Sequence, residues 1–197
     1  MGNELVKLCE LVLSAALVNN FVFTWFLGLC IFFGFSKNME AAVGAGITFT
    51  SVMVTSSAVS WLVFRYIMVP LGMEFLMIVV FIGIVAALVQ GSDAAMRKVS
   101  PGLHCRLGIY LTLVPTNCII LAVPLMNEGS KHNFLESIAF AIGSGLGFSL
   151  AMIIMAGMRE KIELADIPAP FRGLPAAFII AGMIALAFAG FSGFITR

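Results

Sequence analysis

The stretch Leu17-Val-Asn-Asn-Phe-Val-Phe-Thr-Trp-Phe-Leu-Gly-Leu-Cys30 lies inside the first long apolar run of the chain, Leu5–Phe35. One straight helix over that run would be about 46 Å long, which is too long for one membrane span and too short for two. Asn19 and Asn20 would lie at membrane depth, where amides are costly unless they contact protein or a cavity. The stretch therefore predicts a helix that is broken near the middle of the membrane, with Cys30 beside the break.

A second apolar run, Leu107–Met126, contains the same kind of interruption. Pro115-Thr-Asn117 lies in its middle and Pro124 follows. Proline removes a backbone donor and breaks a helix, so a second broken helix is expected here. Cys118 follows this break, as Cys30 follows the first. Two broken helices in corresponding positions of two halves indicate a functional site at the membrane midplane.

Composition places the whole chain in a membrane. Of its 197 residues, 61% are hydrophobic and 11% are charged, against about 25% charged residues in soluble domains. So few charges could not cover the apolar surface of a soluble domain of this size, whereas a bilayer removes the conflict. The net charge of +1 gives no basis for binding nucleic acid. We expect one all-α integral membrane domain over residues 1–197, embedded in the lipid bilayer.

Clusters of charged residues, such as the predicted loop from Arg65 to Glu74, divide the chain into six apolar stretches, each a predicted transmembrane helix. The stretches are Leu5–Phe35, Ala41–Phe64, Phe75–Gln90, Leu107–Met126, Phe134–Met158 and Leu174–Ile195. Each half holds three spans, and a unit with an odd number of spans that is repeated in tandem must insert its second copy upside down. The prediction is two inverted three-helix repeats, about residues 1–92 and 103–197, with helices 1 and 4 broken near the midplane.

Internal similarity between the halves supports the predicted repeat. Laid on each other, residues 24–31 and 112–119 share a threonine, a cysteine and an isoleucine at the same positions. Further on, Ala42-Val-Gly-Ala-Gly46 resembles Ala141-Ile-Gly-Ser-Gly145, after about eleven extra residues in the second half. The glycines of these two segments, together with Gly147, are expected at close contacts between helices.

The distribution of lysine and arginine predicts the orientation of the chain. With an extracytoplasmic N-terminus, more basic residues lie in the inner loops than in the outer segments. The inner set is Lys37, Arg97, Lys98, Arg106, Arg159, Lys161 and Arg172, and the outer set is Lys7, Arg65, Lys131 and Arg197. We therefore expect both termini on the extracytoplasmic side, and Arg159 in a solvated inner loop.

Cys30 and Cys118 are the candidate site residues, and three interpretations of them are open. Free cysteines are commonly buried as small apolar residues. A disulfide between the two would require Cα atoms within about 7 Å of each other. Thiolates in an apolar site also suit a [2Fe–2S] cluster, which takes four cysteines, so two ligands would have to come from another polypeptide. Cys9 and Cys105 lie near helix ends and are poor ligands for a midplane site.

Several segments of the chain resemble the A subunits of the Rnf (Rsx) electron transport complexes. They are Leu17–Phe21, Phe26–Cys30, Thr116–Cys118, His132–Ser137, Asp166–Gly173 and Ala187–Gly193. The likeness runs from about Leu5 to the C-terminus. The related E subunits of the sodium-pumping NADH:quinone oxidoreductases are the alternative, and the Pro-Ala-Pro-Phe-Arg-Gly and His-Asn-Phe segments favour Rnf. The chain departs from the family pattern at Ile31, where proline is usual, and at Pro115.

The resemblance implies a subunit of a translocase that passes electrons between ferredoxin and NAD and couples this transfer to Na⁺ or H⁺ movement, with no complete active site in this chain alone. It implies a [2Fe–2S] cluster inside the membrane, with iron bound by Cys30, Cys118 and two cysteines of a homologous E-type subunit of opposite topology. It also implies partner subunits of the B, C, D and G types, which carry the flavins, the NAD site and further clusters. The complex would lie in the cytoplasmic membrane of a bacterium or archaeon.

Two alternatives from other functional classes remain open at this point. A secondary transporter would bind its substrate at the breaks through the amides of Asn19, Asn20 and Asn117, because inverted repeats and broken helices serve transporters equally well. A structural scaffold subunit would need neither cysteine beyond its packing.

Overall fold

The computed structural model describes residues 2–36, 39–99, 117–164, 168 and 171–192, and the regular structure in this part of the chain is helical throughout. The helices are α1 (Gly2–Leu13), α2 (Leu29–Phe35), α3 (Met39–Val63), α4 (Met77–Val99), α5 (Cys118–Gly129), α6 (Phe134–Glu163) and α7 (Leu174–Ser192). π-helical turns extend α1 over Ser14–Val18 and α3 over Phe64–Met68. The helical turn Val69–Leu71 continues directly from the π-helical turn of α3, and the 3-10 turn Glu74–Leu76 precedes α4. The all-helical prediction is confirmed.

The first predicted span is broken at the predicted place, because residues 19–28 are not helical. The buried side chain of Asn20 holds the break together. Its Nδ2 donates to the carbonyl oxygens of Ala16 (3.2 Å) and Gly147 (2.9 Å), and its Oδ1 accepts from the backbone N–H of Val22 (3.0 Å). The asparagine thus supplies partners to backbone groups that a continuous helix would have satisfied.

α5 begins directly after the second predicted break. Asn117 caps this helix, because its Oδ1 accepts a hydrogen bond from the backbone N–H of Ile119 (3.1 Å). The predicted break at Pro115 and the helical half before it lie outside the described residues. Pro124 lies inside α5 and does not end it, so its predicted role as a helix breaker is wrong. Packing holds this buried proline within the helix, as happens in apolar helices that neighbours support.

α3 and α6 pack antiparallel at the centre of the fold, through small residues. A methyl group built on Gly46 would lie 2.6 Å from Oγ of Ser149, and one built on Gly145 would lie 2.6 Å from Cγ2 of Thr50. The hydroxyls of Thr50 and Ser149, which are 99 residues apart, lie at 3.4 Å. The same separation relates Gly46 to Gly145. The contacts are therefore reciprocal, as they are across a two-fold axis.

α1 packs against α6 with its backbone in direct contact with two glycines. A methyl group built on Gly143 would lie 2.7 Å from the carbonyl oxygen of Val12, and one built on Gly147 would lie 2.7 Å from that of Ala16. These are backbone atoms that cannot move aside, so the predicted packing role of both glycines is confirmed. The described residues give no support to the same prediction for Gly44, since none of them lies within 4 Å of a methyl group built there.

Some helices extend beyond the apolar stretches that predict them. The segment Met39–Leu71 is helical, so Arg65 lies in a helix and not in the predicted loop, and α6 continues to Glu163. Charged residues with long side chains are good helix formers, and a helix can therefore continue beyond its apolar segment. In the described part of the chain, Met39–Leu71 and Phe134–Ile162 are long and apolar enough to cross a membrane, and three shorter apolar helices accompany them.

Candidate functional site

The helices that carry Cys30 and Cys118, α2 and α5, begin beside each other. Cys30 is the second residue of α2, and Cys118 is the first residue of α5. Gly28, which precedes α2 with a φ of 73°, lies against the first turn of α5. A methyl group built on Gly28 would lie 2.6 Å from Cδ1 of Ile119 and 3.1 Å from Oδ1 of Asn117. The fold therefore brings together two predicted site segments that are far apart in the sequence.

Both thiols at this meeting point are free and exposed on the surface of the chain. The interpretation of Cys30 and Cys118 as buried packing residues is therefore wrong, and no disulfide joins them. Each cysteine lies at the start of a helix, where its side chain is outside the apolar core. Cys9 is also free and exposed, in α1, and Cys105 lies outside the described residues. Exposed thiols are accessible to a second polypeptide.

Asn20 and Asn117 are buried asparagines in the segments that lead to the two cysteines, and the hydrogen bonds of their side-chain amides differ. Asn20 is 1% exposed and Asn117 is 4% exposed. The Nδ2 donor of Asn20 is occupied by two carbonyl oxygens, so it has little left to offer a substrate. The Nδ2 of Asn117 is buried and has no hydrogen-bond partner among the residues that the structure describes. Asn19 is exposed. The transporter hypothesis needs these amides as substrate ligands, and Asn20 does not fit that role.

Arg159 ties the other end of α2 to α6. Its Nη1 donates a hydrogen bond to the carbonyl oxygen of Phe33 at 3.0 Å, and its guanidinium lies 5.9 Å from the centre of the Phe33 ring. A cation beside the last carbonyls of a helix is favourable. A cavity of about 560 Å³ separates this contact from the start of α7 and is lined by both Cys30 and Arg159. Arg159 therefore lies within α6 and not in the predicted loop, and its partly buried side chain reaches back onto α2.

A second polar cluster lies at the C-terminal end of α3 and was not predicted from the sequence. Nδ2 of Asn127 donates to Oγ of Ser57 (2.8 Å), which also contacts Oγ of Ser137 (2.9 Å). Oδ1 of Asn127 lies 3.0 Å from Nδ1 of His132, and burial lowers the pKa of this histidine. The backbone oxygen of His132 accepts from Nε1 of Trp61 (3.1 Å). These groups satisfy one another, which is the behaviour of a structural network.

The donor set at the meeting of α2 and α5 fits half of an iron–sulfur site. Two free, exposed thiols stand near the starts of helices that meet where Gly28 lies against Asn117 and Ile119, and thiolates are the soft ligands that such clusters take. A four-coordinate site needs two further ligands. Within the described ranges, no group of three or more His, Cys, Asp or Glu side chains could hold a metal ion.

Comparison with known proteins identifies the family. The family model described as "Rnf-Nqr subunit, membrane protein" matches residues 8–195. The chain is 53% identical to the A subunit of the proton-translocating ferredoxin:NAD(+) oxidoreductase complex of Clostridium ljungdahlii, over 94% of this chain and 96% of that protein. It is 47% and 46% identical to the A subunits of the ion-translocating oxidoreductase complexes of Edwardsiella ictaluri and Vibrio cholerae, with the same coverage. The chain therefore belongs to the Rnf-Nqr family of membrane protein subunits.

Proposed function

We propose that the chain is the A-type membrane subunit of an ion-translocating ferredoxin:NAD⁺ oxidoreductase of the Rnf type. Its relatives at 46–53% identity are named as the A subunits of ion- or proton-translocating oxidoreductase complexes, and they match this chain over nearly their whole length. The observation that carries a role in electron transfer is the convergence of α2 and α5, each with a free, exposed cysteine in its first turn.

The proposed architecture is six membrane spans in two inverted three-helix repeats, with both termini on the extracytoplasmic side. The reciprocal contacts of α3 and α6, which are the second span of each half, support the repeat. The pairing of Gly46 with Ser149 mirrors that of Gly145 with Thr50, as expected when two copies are related by an axis in the membrane plane. The matching places of Cys30 and Cys118, each in the first turn of its helix, add to this support.

In this proposal Cys30 and Cys118 bind the iron of a [2Fe–2S] cluster, and a homologous E-type subunit of opposite topology supplies two more cysteines. When bound, the cluster would supply one-electron transfer inside the membrane. The chain orients the two thiols through protein contacts: Gly28 allows α2 to approach α5, and Arg159 anchors the far end of α2. Flavins, the NAD site and further clusters belong to the other subunits of the complex.

The proposal is tested with this chain co-purified with its E-type partner. We expect Cys30→Ser and Cys118→Ser each to abolish the electron paramagnetic resonance signal of the reduced cluster and the iron and labile sulfide that accompany it. A hydroxyl is too hard a ligand to replace a cluster-binding thiolate. Cys9→Ser is the matched control, because Cys9 is an exposed free cysteine away from the breaks, and it should keep the signal.

An intact cluster in both serine variants would contradict the shared cluster site. It would favour the scaffold hypothesis, in which neither cysteine matters beyond packing. Loss of the cluster in Cys9→Ser as well would show that the assay reports on folding and not on ligation.

A further inference from the structure

The side-chain amide of Asn117 carries a donor that no described residue accepts. Its Oδ1 is occupied by the backbone N–H of Ile119 at 3.1 Å, whereas its Nδ2 is buried without a partner. Burying a donor without an acceptor is costly, and each such group in a folded protein requires an explanation. Three buried serine hydroxyls share this property, but Ser56 and Ser60 lie on α3 and Ser36 at the far end of α2.

The direction of the Asn117 amide is determined by its surroundings. Exchanging its oxygen and nitrogen would place an NH₂ group against the N–H of Ile119, two donors face to face, so the oxygen must cap α5. The same oxygen would lie 3.1 Å from a methyl group built on Gly28, which is two residues before Cys30. The amide therefore lies between the starts of the two helices that carry the cysteines, and Cys118 is its neighbour in the chain.

Asn20, in the interruption of the first predicted span, shows that this fold can supply acceptors to the NH₂ group of a buried asparagine whose role is structural. Asn20 is as deeply buried, and its Nδ2 donates to the carbonyl oxygens of Ala16 and Gly147. The side chain of Asn20 bonds to backbone groups where the first predicted span is interrupted. The side chain of Asn117 uses only its oxygen, which caps α5. No described residue accepts from the remaining donor of Asn117, so this donor is available to a group bound at the site.

We propose that the Nδ2–H of Asn117 donates a hydrogen bond to anionic sulfur at the Cys30–Cys118 site and thereby raises the reduction potential of the group bound there. This inference rests on the proposed function. Hydrogen bonds to sulfur are one of the factors that set the potentials of iron–sulfur clusters, because they stabilise the more negative, reduced state. Asn117 binds no iron itself and acts as a residue that positions α5 and tunes the site.

The test uses the co-purified pair of subunits, with this chain labelled with ¹⁵N-asparagine and the cluster reduced by dithionite. Pulsed electron paramagnetic resonance should detect a ¹⁵N coupling in the unmodified protein, and the coupling should be lost in Asn117→Ala. A redox titration of Asn117→Thr, which keeps a capping oxygen, should show a lower midpoint potential. At a fixed ambient potential we expect about a fivefold lower ratio of reduced to oxidised cluster, as for the loss of one typical hydrogen bond.

Asn127→Ala is the matched control, since its amide is also buried but already satisfied by Ser57 and Ser137, in the structural network at the C-terminal end of α3. It should retain both the coupling and the potential, although it loosens the fold. A cluster in the unmodified protein without a ¹⁵N coupling, or an unchanged potential in both Asn117 variants, would overturn the inference and leave the proposed function standing. The absence of any Cys30- and Cys118-dependent cluster in the unmodified protein would instead refute the proposed function, and this inference with it.

Discussion

At the scale of single residues, Gly28 sets how closely the two cysteine-bearing helices approach. We predict that Gly28→Ala lowers stability by about 2–5 kcal/mol, since a positive φ costs an alanine about 1–2 kcal/mol and overpacking adds about 1–3. Ile119→Val removes the Cδ1 atom that a methyl group would meet at 2.6 Å, so it should recover part of the loss in the double variant. Thermal unfolding of the purified complex in detergent measures both effects.

Gly72→Ala is the control for that prediction. Gly72 has a similar φ of 66°, but nothing in the described structure lies within 4 Å of a methyl group built on it. Only the backbone cost of about 1–2 kcal/mol should therefore remain. Equal losses in Gly28→Ala and Gly72→Ala would mean that the contact with Ile119 does not matter.

The residues of the site differ in how far the sequence predicts them. Asn19-Asn20 predicts the first break, because two adjacent amides inside an apolar run conflict with an unbroken span. The approach of Gly28 to Ile119 could not be predicted, since it depends on how two distant segments pack. Arg159 was predicted in a solvated loop because a charge that follows an apolar stretch is usually solvated. Only the tertiary structure brings the Phe33 carbonyl within its reach.

At the scale of helices, the contact of α1 with α6 depends on Gly147. A methyl group there would lie 2.7 Å from the carbonyl oxygen of Ala16 and 2.9 Å from its Cα. We predict that Gly147→Ala destabilises the protein by about 1–3 kcal/mol, because the helices would have to separate. The shift would also strain the hydrogen bond from Asn20 to the Gly147 carbonyl, so the variant should lose cluster content as well as thermal stability.

Gly182→Ala, in α7, provides the comparison for this packing contact. Nothing in the described chain lies within 4 Å of a methyl group at Gly182, and alanine is the better helix former by about 1 kcal/mol. This variant should be neutral or slightly stabilising. A Gly147→Ala protein that is as stable as Gly182→Ala would contradict the close packing of α1 on α6.

The sequence predicts where the helices lie better than it predicts where they end. The apolar stretches locate α3, α4, α6 and α7, because apolar length is the main requirement of a span. Their ends were less predictable, since a charged residue such as Arg65 readily continues a helix once it has begun. The similarity of residues 42–46 and 141–145 indicates the reciprocal packing of α3 on α6, although the partners Thr50 and Ser149 lie outside those segments.

At the scale of the whole molecule, the proposed orientation predicts which surfaces are accessible from outside the cell. Lys131 and Lys161 are both exposed and lie at opposite ends of α6. In a Cys9→Ser background, we expect Lys131→Cys to react with a membrane-impermeant maleimide in intact cells. Lys161→Cys should react only after the cells are opened, because it lies on the side with more basic residues. The reverse pattern would place both termini in the cytoplasm.

The exposure of both thiols also has a consequence for the order in which the complex is built. The contacts that place Cys30 and Cys118, namely Gly28 on Ile119, Asn20 on Gly147 and Arg159 on Phe33, involve only groups of this chain. They can form as the chain inserts, so the proposed site can take its shape before any metal binds, unlike zinc fingers, which fold only on binding metal. Under the proposed ligand set, in which each subunit supplies two of the four cysteines, the subunits would have to associate before an iron–sulfur cluster could be delivered or retained. Cluster insertion would then be a late step of assembly that an unpaired subunit could not complete.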